Sequence, residues 1–263
     1  MSGRRAVVLA GGLGTRLRPY TAVIPKPLLP VGEQPILEIV LRQLREHGFE
    51  HVSIATGHLA QLIEAFFGDG SAFDLKIDYF REREALGTVG ALAMMEGLEE
   101  PFLVMNGDVL TDLDYSELLD DHVDSGAAAT IAARAQEVQV SLGVLHFADA
   151  DDGTRITDYV EKPAIRYEAS MGVYCFSPRA VDQIVPGERL DFPELILRLI
   201  RSGETVRAWR SDAYWLDIGR HDDYERAMEE FERMRHRLLP EPQLIGPASI
   251  PAQLDRLRVE QGA

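Results

Sequence analysis

The chain predicts an α/β fold, a doubly wound and mostly parallel mixed sheet whose second half is richer in strands. Two observations lead to it. From residue 6 to residue 105, short apolar runs alternate with stretches of helical periodicity, the rhythm of successive strand and helix units. Glycines then stand where the first and fourth runs stop, at the carboxyl edge of such a sheet, where ligands bind.

The first strand is residues 6–10, continuous and apolar as in a strand covered on both faces. A helix follows over 35–48, with proline near its start, Ile36, Leu37, Val40, Leu41 and Leu44 on one face, and Gly48 at the stop. Residues 51–56 and 75–80 read as strands, 59–67 and 88–98 as helices, and 102–105 as a short buried strand. Past Asp112 the rhythm changes: 115–125 is one more helix, whereas 128–134, 140–147 and 155–161 are strand-like. Strands at 171–176 and 206–210 and helices at 179–185 and 192–202 follow. Residues 221–239 place Tyr224, Ala227, Met228, Phe231, Met234 and Leu238 on one side of a charged helix, expected on the domain's own core, with a contact in a homodimer or larger homo-oligomer as the alternative. No linker or repeat interrupts the chain, which predicts one domain over 1–239 in two halves, about 1–112 and 113–239, followed by an irregular tail over 240–263.

The chemistry concentrates in Leu9-Ala10-Gly11-Gly12-Leu13-Gly14-Thr15-Arg16-Leu17, closed by Pro25-Lys26-Pro27. Gly11, Gly12 and Gly14 let the backbone bend and bring N–H groups close to an anion. Arg16 adds a planar fork for phosphate oxygens and Lys26 a point charge stiffened by its prolines. The run lacks the third glycine of a dinucleotide fingerprint, which argues against a nicotinamide dehydrogenase, and the Gly-Lys-Ser/Thr end of a P-loop. Asn106-Gly107-Asp108 puts a carboxylate at the same sheet edge, although Asn-Gly-Asp is also a routine turn. Asp217, before Gly219, reads as a second ligand or as a cap for the last helix. Glu161-Lys162-Pro163 is a charged surface turn or a binding turn, and Gly143 and Gly172 are strand bulges or places where backbone nears a ligand.

These motifs resemble the signature of the sugar-1-phosphate nucleotidylyltransferases, Gly-Gly-x-Gly-Thr-Arg-Leu followed by Pro-Lys-Pro, every position of which is present. The resemblance runs from about Ala6 to Tyr224 and implies a Rossmann-like nucleotide-diphospho-sugar transferase fold. It implies an EC 2.7.7 type enzyme that moves a nucleoside monophosphate from an NTP to a sugar 1-phosphate, releasing pyrophosphate. By the same resemblance Leu9, Gly11, Gly12, Gly14, Thr15, Arg16, Lys26, Glu82, Gly87 and Thr88 hold the nucleotide, and Gly143, Glu161, Lys162 and Gly172 the sugar phosphate. Asp108 and Asp217 would bind Mg²⁺, with Arg16, Lys26, Asp108 and Lys162 as the catalytic set. The run Leu86-Gly87-Thr88-x-Gly90-Ala91-Leu92 looks like mannose- and heptose-1-phosphate guanylyltransferases, and Glu82 stands where thymidylyl- and uridylyl-transferring members commonly have glutamine. A carboxylate only accepts, suiting the N1 and N2 donors of guanine, whereas an amide donates and accepts. The reading is therefore GTP with a hexose or heptose 1-phosphate. The alternatives are a uridylyl or thymidylyl enzyme acting on glucose 1-phosphate, and a non-catalytic nucleotide-sugar-binding regulatory subunit.

The balance of 27 basic and 43 acidic residues, net −16, argues against nucleic acid or an anionic membrane as partner and leaves small-molecule substrates met by a local basic pocket. No apolar run approaches the roughly 20 residues that cross a bilayer, and Arg4-Arg5 with residues 6–10 is too short for a secretory signal. The single cysteine, Cys175, cannot form an internal disulfide, so a reducing cytoplasm is expected.

Overall fold

The computed structural model describes residues 3–82, 84–148 and 154–239; the expected tail at 240–263 lies outside them. Strands β1 (Arg4–Ala10), β2 (Phe49–Thr56), β3 (Lys76–Arg81), β4 (Phe102–Asn106), β6 (Ala129–Gln139), β9 (Ala164–Phe176) and β10 (Val206–Arg210) form one sheet, ordered β10-β6-β9-β4-β1-β2-β3. Only β9 runs against its neighbours, pairing antiparallel with both β4 and β6. A short pair, β5 (Val109–Thr111) with β11 (Trp215–Asp217), and a ribbon, β7 (Gly143–Phe147) with β8 (Ile156–Glu161), lie outside the main sheet.

Alternation along β1 shows how both faces are covered. Ala6, Val8 and Ala10 belong to a core with Leu37, Val40 and Leu41 of α1 (Ile36–Glu46), Ile63 and Phe67 of α2 (Ala60–Phe67) and Leu118 of α3 (Tyr115–Ser125). Val7 faces the other way, into a core with Val104, Phe176, Ala180 of α4 (Pro178–Val181), and Leu195 and Leu199 of α5 (Phe192–Arg201). A third core joins Leu17, Leu29 and Leu216 to Ala227, Phe231 and Leu238 of α6 (His221–Leu238), so most of the apolar stripe of that helix packs on its own chain, with Met228 left exposed. The ends of α3 follow local rules: the Asp114 carboxylate accepts from Glu117 N at 2.9 Å, and Gly126 closes the helix at φ 60°.

Two expectations need correction. The helix read over 88–98 is only a 3₁₀ segment, Gly90–Met94. Gly87 at φ 77° starts a turn that docks on a distant segment, where Leu190 N donates to Leu86 O (2.9 Å) and Val89 N to Leu190 O (3.1 Å). Those tertiary bonds tie the start of the segment to residue 190. Strands β6 and β9, read as 128–134 and 171–176, extend to Gln139 and back to Ala164. Their exposed halves form an arm with no buried face for a hydrophobic pattern to mark. No helix among the described residues is long and apolar enough to cross a membrane.

His122 is buried between α3 and the sheet. Ser177 Oγ gives its proton to Ala127 O (2.7 Å), so it accepts from His122 Nε2 (3.1 Å), which leaves Nδ1 to accept from Thr130 Oγ1 (2.8 Å). Burial first, then the nearby Arg179 charge, pushes the imidazole down to about 4. Between its ordinary value of 6.5 and about 4 the unfolded chain binds a proton that the folded chain refuses, so stability falls as pH drops through that window. Denaturant titrations at pH 7.5, 5.5 and 4.5 should show His122→Asn losing less stability on acidification than the unsubstituted protein, by on the order of 3 kcal/mol at the acid end.

Candidate active site

Three adjacent parallel strands, β4, β1 and β2, end in glycine-containing turns that pack on one another. Gly107 N donates to Leu9 O (2.9 Å), and a side chain on Gly57 would strike the carbonyl of Gly11. Gly14 stands at φ 58° with its open side against Thr21 and the Lys26 stem, and Thr21 Oγ1 donates to its carbonyl (2.7 Å). Thr15 and Arg16 follow on an exposed 3₁₀ turn anchored by buried Leu17.

Beside this loop Lys26, almost fully buried, forms an ion pair with Asp108 Oδ2. The other Asp108 oxygen, Oδ1, is buried with no hydrogen-bond partner. Asp217 arrives at the same place because β11 pairs with β5, setting Asp217 opposite Val109, and Ile218 N donates to Asp108 O (3.1 Å). Asp217 opens to a cleft whose walls still strip water from it. That desolvation, then the Asp108 charge, raises its carboxyl above the usual range against the opposing pull of Lys26 and Arg16.

A cleft of about 390 Å³ runs from this centre along the sheet edge, lined by Leu9, Gly11, Gly12, Glu82, Gly87 and Thr88 together with Asn106, Asp108 and Lys26. Glu82 leaves β3 beside Gly11, half-buried, and burial raises its carboxyl while a long contact from Leu86 N (3.4 Å) opposes the rise. Thr88 is fixed by Asp191, whose Oδ1 accepts Thr88 N (3.1 Å), and by Phe192 N, which donates to Thr88 Oγ1 (2.6 Å). A second opening, about 450 Å³, lies across Asp217 and is lined by Arg16, Arg134, Gln136, Asp217, Arg220 and Arg226.

The expected sugar residues divide into two groups. Gly172, at φ 73°, makes a bulge in β9 that sits against the Asn106 amide, beside the Lys26 and Asp108 pair. Gly143 and Glu161 face each other at the root of the β7–β8 ribbon, and Lys162 occupies the turn into β9 at φ 47°, its carbonyl held by Gln139 Nε2. None of Gly143, Glu161 and Lys162 lines either opening.

A family model described as Nucleotidyl transferase matches residues 5–234. The chain belongs to the nucleotidyl transferase family. It is 36% identical over 244 residues to a UTP–glucose-1-phosphate uridylyltransferase from Synechocystis, covering 85% of this chain and 62% of that protein. It is 34% identical over 249 residues to a mannose-1-phosphate guanylyltransferase from Mycobacterium tuberculosis, covering 92% and 67%. The chain thus spans about two thirds of the length of these relatives. Among solved structures, HddC from Yersinia pseudotuberculosis superposes with TM-score 0.66 at 27% identity, covering 87% of this chain and 99% of that one. A UDP-glucose pyrophosphorylase shares the fold, with TM-score 0.64 at 21% identity over 88% and 99% of the two chains.

Within this chain, sequence reasoning missed Arg189 and Asp191 in the first opening and Arg134, Gln136, Arg220 and Arg226 in the second. Only Asn106, beside the Gly-Asp pair, had a local signal.

The donor set fits a hard divalent cation: two carboxylates, one with a buried oxygen lacking any partner. No group of three or more His, Cys, Asp or Glu side chains able to hold a metal occurs among the described residues, so phosphate oxygens and water would complete the shell. The pair also predicts a stability effect. Lys26→Met strands the partly buried Asp108 carboxylate and should cost about 1–3 kcal/mol in urea unfolding; adding Asp108→Asn should restore part of that loss, a coupling read from the double-mutant cycle.

Proposed function

We propose that the protein transfers a nucleoside monophosphate from an NTP to a sugar 1-phosphate, giving a nucleotide sugar and pyrophosphate. The observation that carries this is the convergence of Lys26, Asp108 and Asp217 beside a glycine loop at the carboxyl edge of the sheet. A phosphate oxygen of the sugar phosphate bonds to the α-phosphorus, the α–β bridging P–O bond breaks, and its electron pair leaves with pyrophosphate. The attacking oxygen is already an anion, so no general base is required. Positioning two anions and neutralising the departing charge is the whole catalytic task.

Lys26 would lie across the reacting phosphates, Arg16 on the β- and γ-phosphates, and Lys162 on the sugar phosphate once the arm meets its ligand. Asp108 and Asp217 would hold Mg²⁺, which supplies charge neutralisation at the phosphates when bound. Gly11, Gly12, Gly87 and Thr88 would seat the nucleoside, and Gly143, Glu161 and Gly172 the sugar. A buried, free Cys175 suits the reducing cytoplasm in which we place this chemistry.

For the base we propose guanine. Glu82 supports it as an acceptor-only side chain at the wall of the nucleoside cleft, and HddC has been solved with GMP-PN. The uridylyltransferase relative favours the second reading, UTP with glucose 1-phosphate. Pyrophosphate release from NTP, Mg²⁺ and a panel of sugar 1-phosphates tests the reaction. Competition among ATP, GTP, CTP, UTP and dTTP should give GTP preference, eroded toward dTTP in Glu82→Gln; a UTP or dTTP preference in the unsubstituted protein refutes guanine and leaves nucleotidyl transfer standing.

Asp108→Asn and Asp217→Asn should each nearly abolish turnover without unfolding the protein, because an amide keeps the shape and loses the charge. Steady-state rates at limiting Mg²⁺, with circular dichroism as the fold control, check this.

A further inference from the structure

The two openings differ in free positive charge. In the nucleoside cleft Lys26 is neutralised by Asp108, and Arg189 lies 3.6 Å from Asp191. In the second opening Arg226 is paired with Glu230 (2.8 Å), but Arg16, Arg134 and Arg220 have no carboxylate within 4.0 Å among the described residues. Three unpaired guanidinium groups around one opening are conspicuous in a chain of net charge −16. The acids present are otherwise engaged: Asp217 belongs to the Lys26 and Asp108 centre, and Asp223 Oδ2 accepts Arg220 N (2.8 Å) at the start of α6. The side chains come from three separate elements, the loop after β1, the middle of β6 and the residue that opens the 18-residue helix α6, whose first turn adds its own positive end.

We propose that this opening receives the leaving pyrophosphate, with Arg134 and Arg220 joining Arg16 as its ligands. The proposal rests on the nucleotidyl-transfer reading and adds to it residues that no motif marks. In an in-line displacement the attacking and leaving oxygens lie on opposite sides of the α-phosphorus. On the parent reading the nucleoside would take the first cleft, beside Asp108, and Lys162 would bring the sugar phosphate toward the same centre. As the α–β bridging bond breaks, the electron pair passes to a polyanion, and the opening across Asp217 is where unpaired guanidinium groups stand to meet it. Planar, always-charged guanidinium forks suit phosphate oxygens better than a neutral lining would.

Arg134→Gln and Arg220→Gln test this in the full-length protein, with thermal melts as a control for folding. In the reverse reaction, from nucleotide sugar and inorganic pyrophosphate, each variant should raise KM for pyrophosphate about tenfold while KM for the nucleotide sugar stays unchanged. In calorimetry with inorganic pyrophosphate and Mg²⁺, affinity should fall by a similar factor, with Arg220→Lys recovering part of it. A rise in KM for sugar 1-phosphate with pyrophosphate binding untouched overturns the proposal and gives the opening to the sugar. Unchanged pyrophosphate binding in both variants also overturns it. Absence of transfer by the unsubstituted protein overturns the parent reading instead, since the calorimetric arm reads the arginines without turnover.

Discussion

Lys26 and Asp108 are 82 residues apart and meet because β1 and β4 are adjacent parallel strands that end at the same edge. Everything else at the site is arranged around that contact. Gly14 lets the loop fold over the Lys26 stem, and Gly107 lets the β4 turn hydrogen-bond to Leu9 and present Asp108 alongside. The β5–β11 pairing then delivers Asp217, which no helix or loop of the first half could supply. One lysine balances one carboxylate. The second carboxylate, Asp217, is raised by burial and by the Asp108 charge and drawn back by Lys26 and Arg16, so the centre holds two acids close together at one basic rim.

This charge pattern explains why the centre is built from three chain segments. A divalent ion shared with phosphates needs few protein ligands but needs them fixed, and sheet edges fix better than free loops. The wall of the first cleft follows the same logic by a different route. Gly87 and Thr88 are held by Leu190, Asp191 and Phe192, so the segment before α5 acts as a brace for the segment after β3. The brace spans the two parts of the chain that the sequence separates at Asp112, whose strands share one seven-stranded sheet.

Much of this was legible in the residues alone. The helix at 115–125 and the strand at 206–210 match their elements to the residue, because a cap, a closing glycine or an apolar run bounds each. The glycine loop with Arg16 and Lys26 stood out by its combination of residues, and the Gly-Asp pair by its likeness to the family, since Asn-Gly-Asp alone reads as a turn. The segment 88–98 misled because its apolar spacing is helical while its glycines serve a tertiary contact, and local periodicity cannot see Leu190. The arm was read short for the opposite reason: β9 has no buried residue from Ala164 to Ser170, so no buried face imprints a period on that half. Arg134 and Arg220 carried no signal because an arginine on a strand or before a helix is ordinary until its lack of a partner is seen in three dimensions.

That absence of partners is the deeper regularity. In a strongly acidic chain, arginines find carboxylates readily, as Arg4 with Asp120, Arg81 with Glu64 and Arg198 with Glu188 show. Arg16, Arg134 and Arg220 form no such pair among the described residues and gather at one opening, where Asp217 and Asp223 offset only part of their mutual repulsion, a cost that stability alone gives no reason to bear. A polyanion that arrives with the substrate and departs as product would relieve it only during turnover. Because bound groups already turned toward the departing charge need no reorganisation as the bond breaks, the unpaired state is the one that serves the reaction.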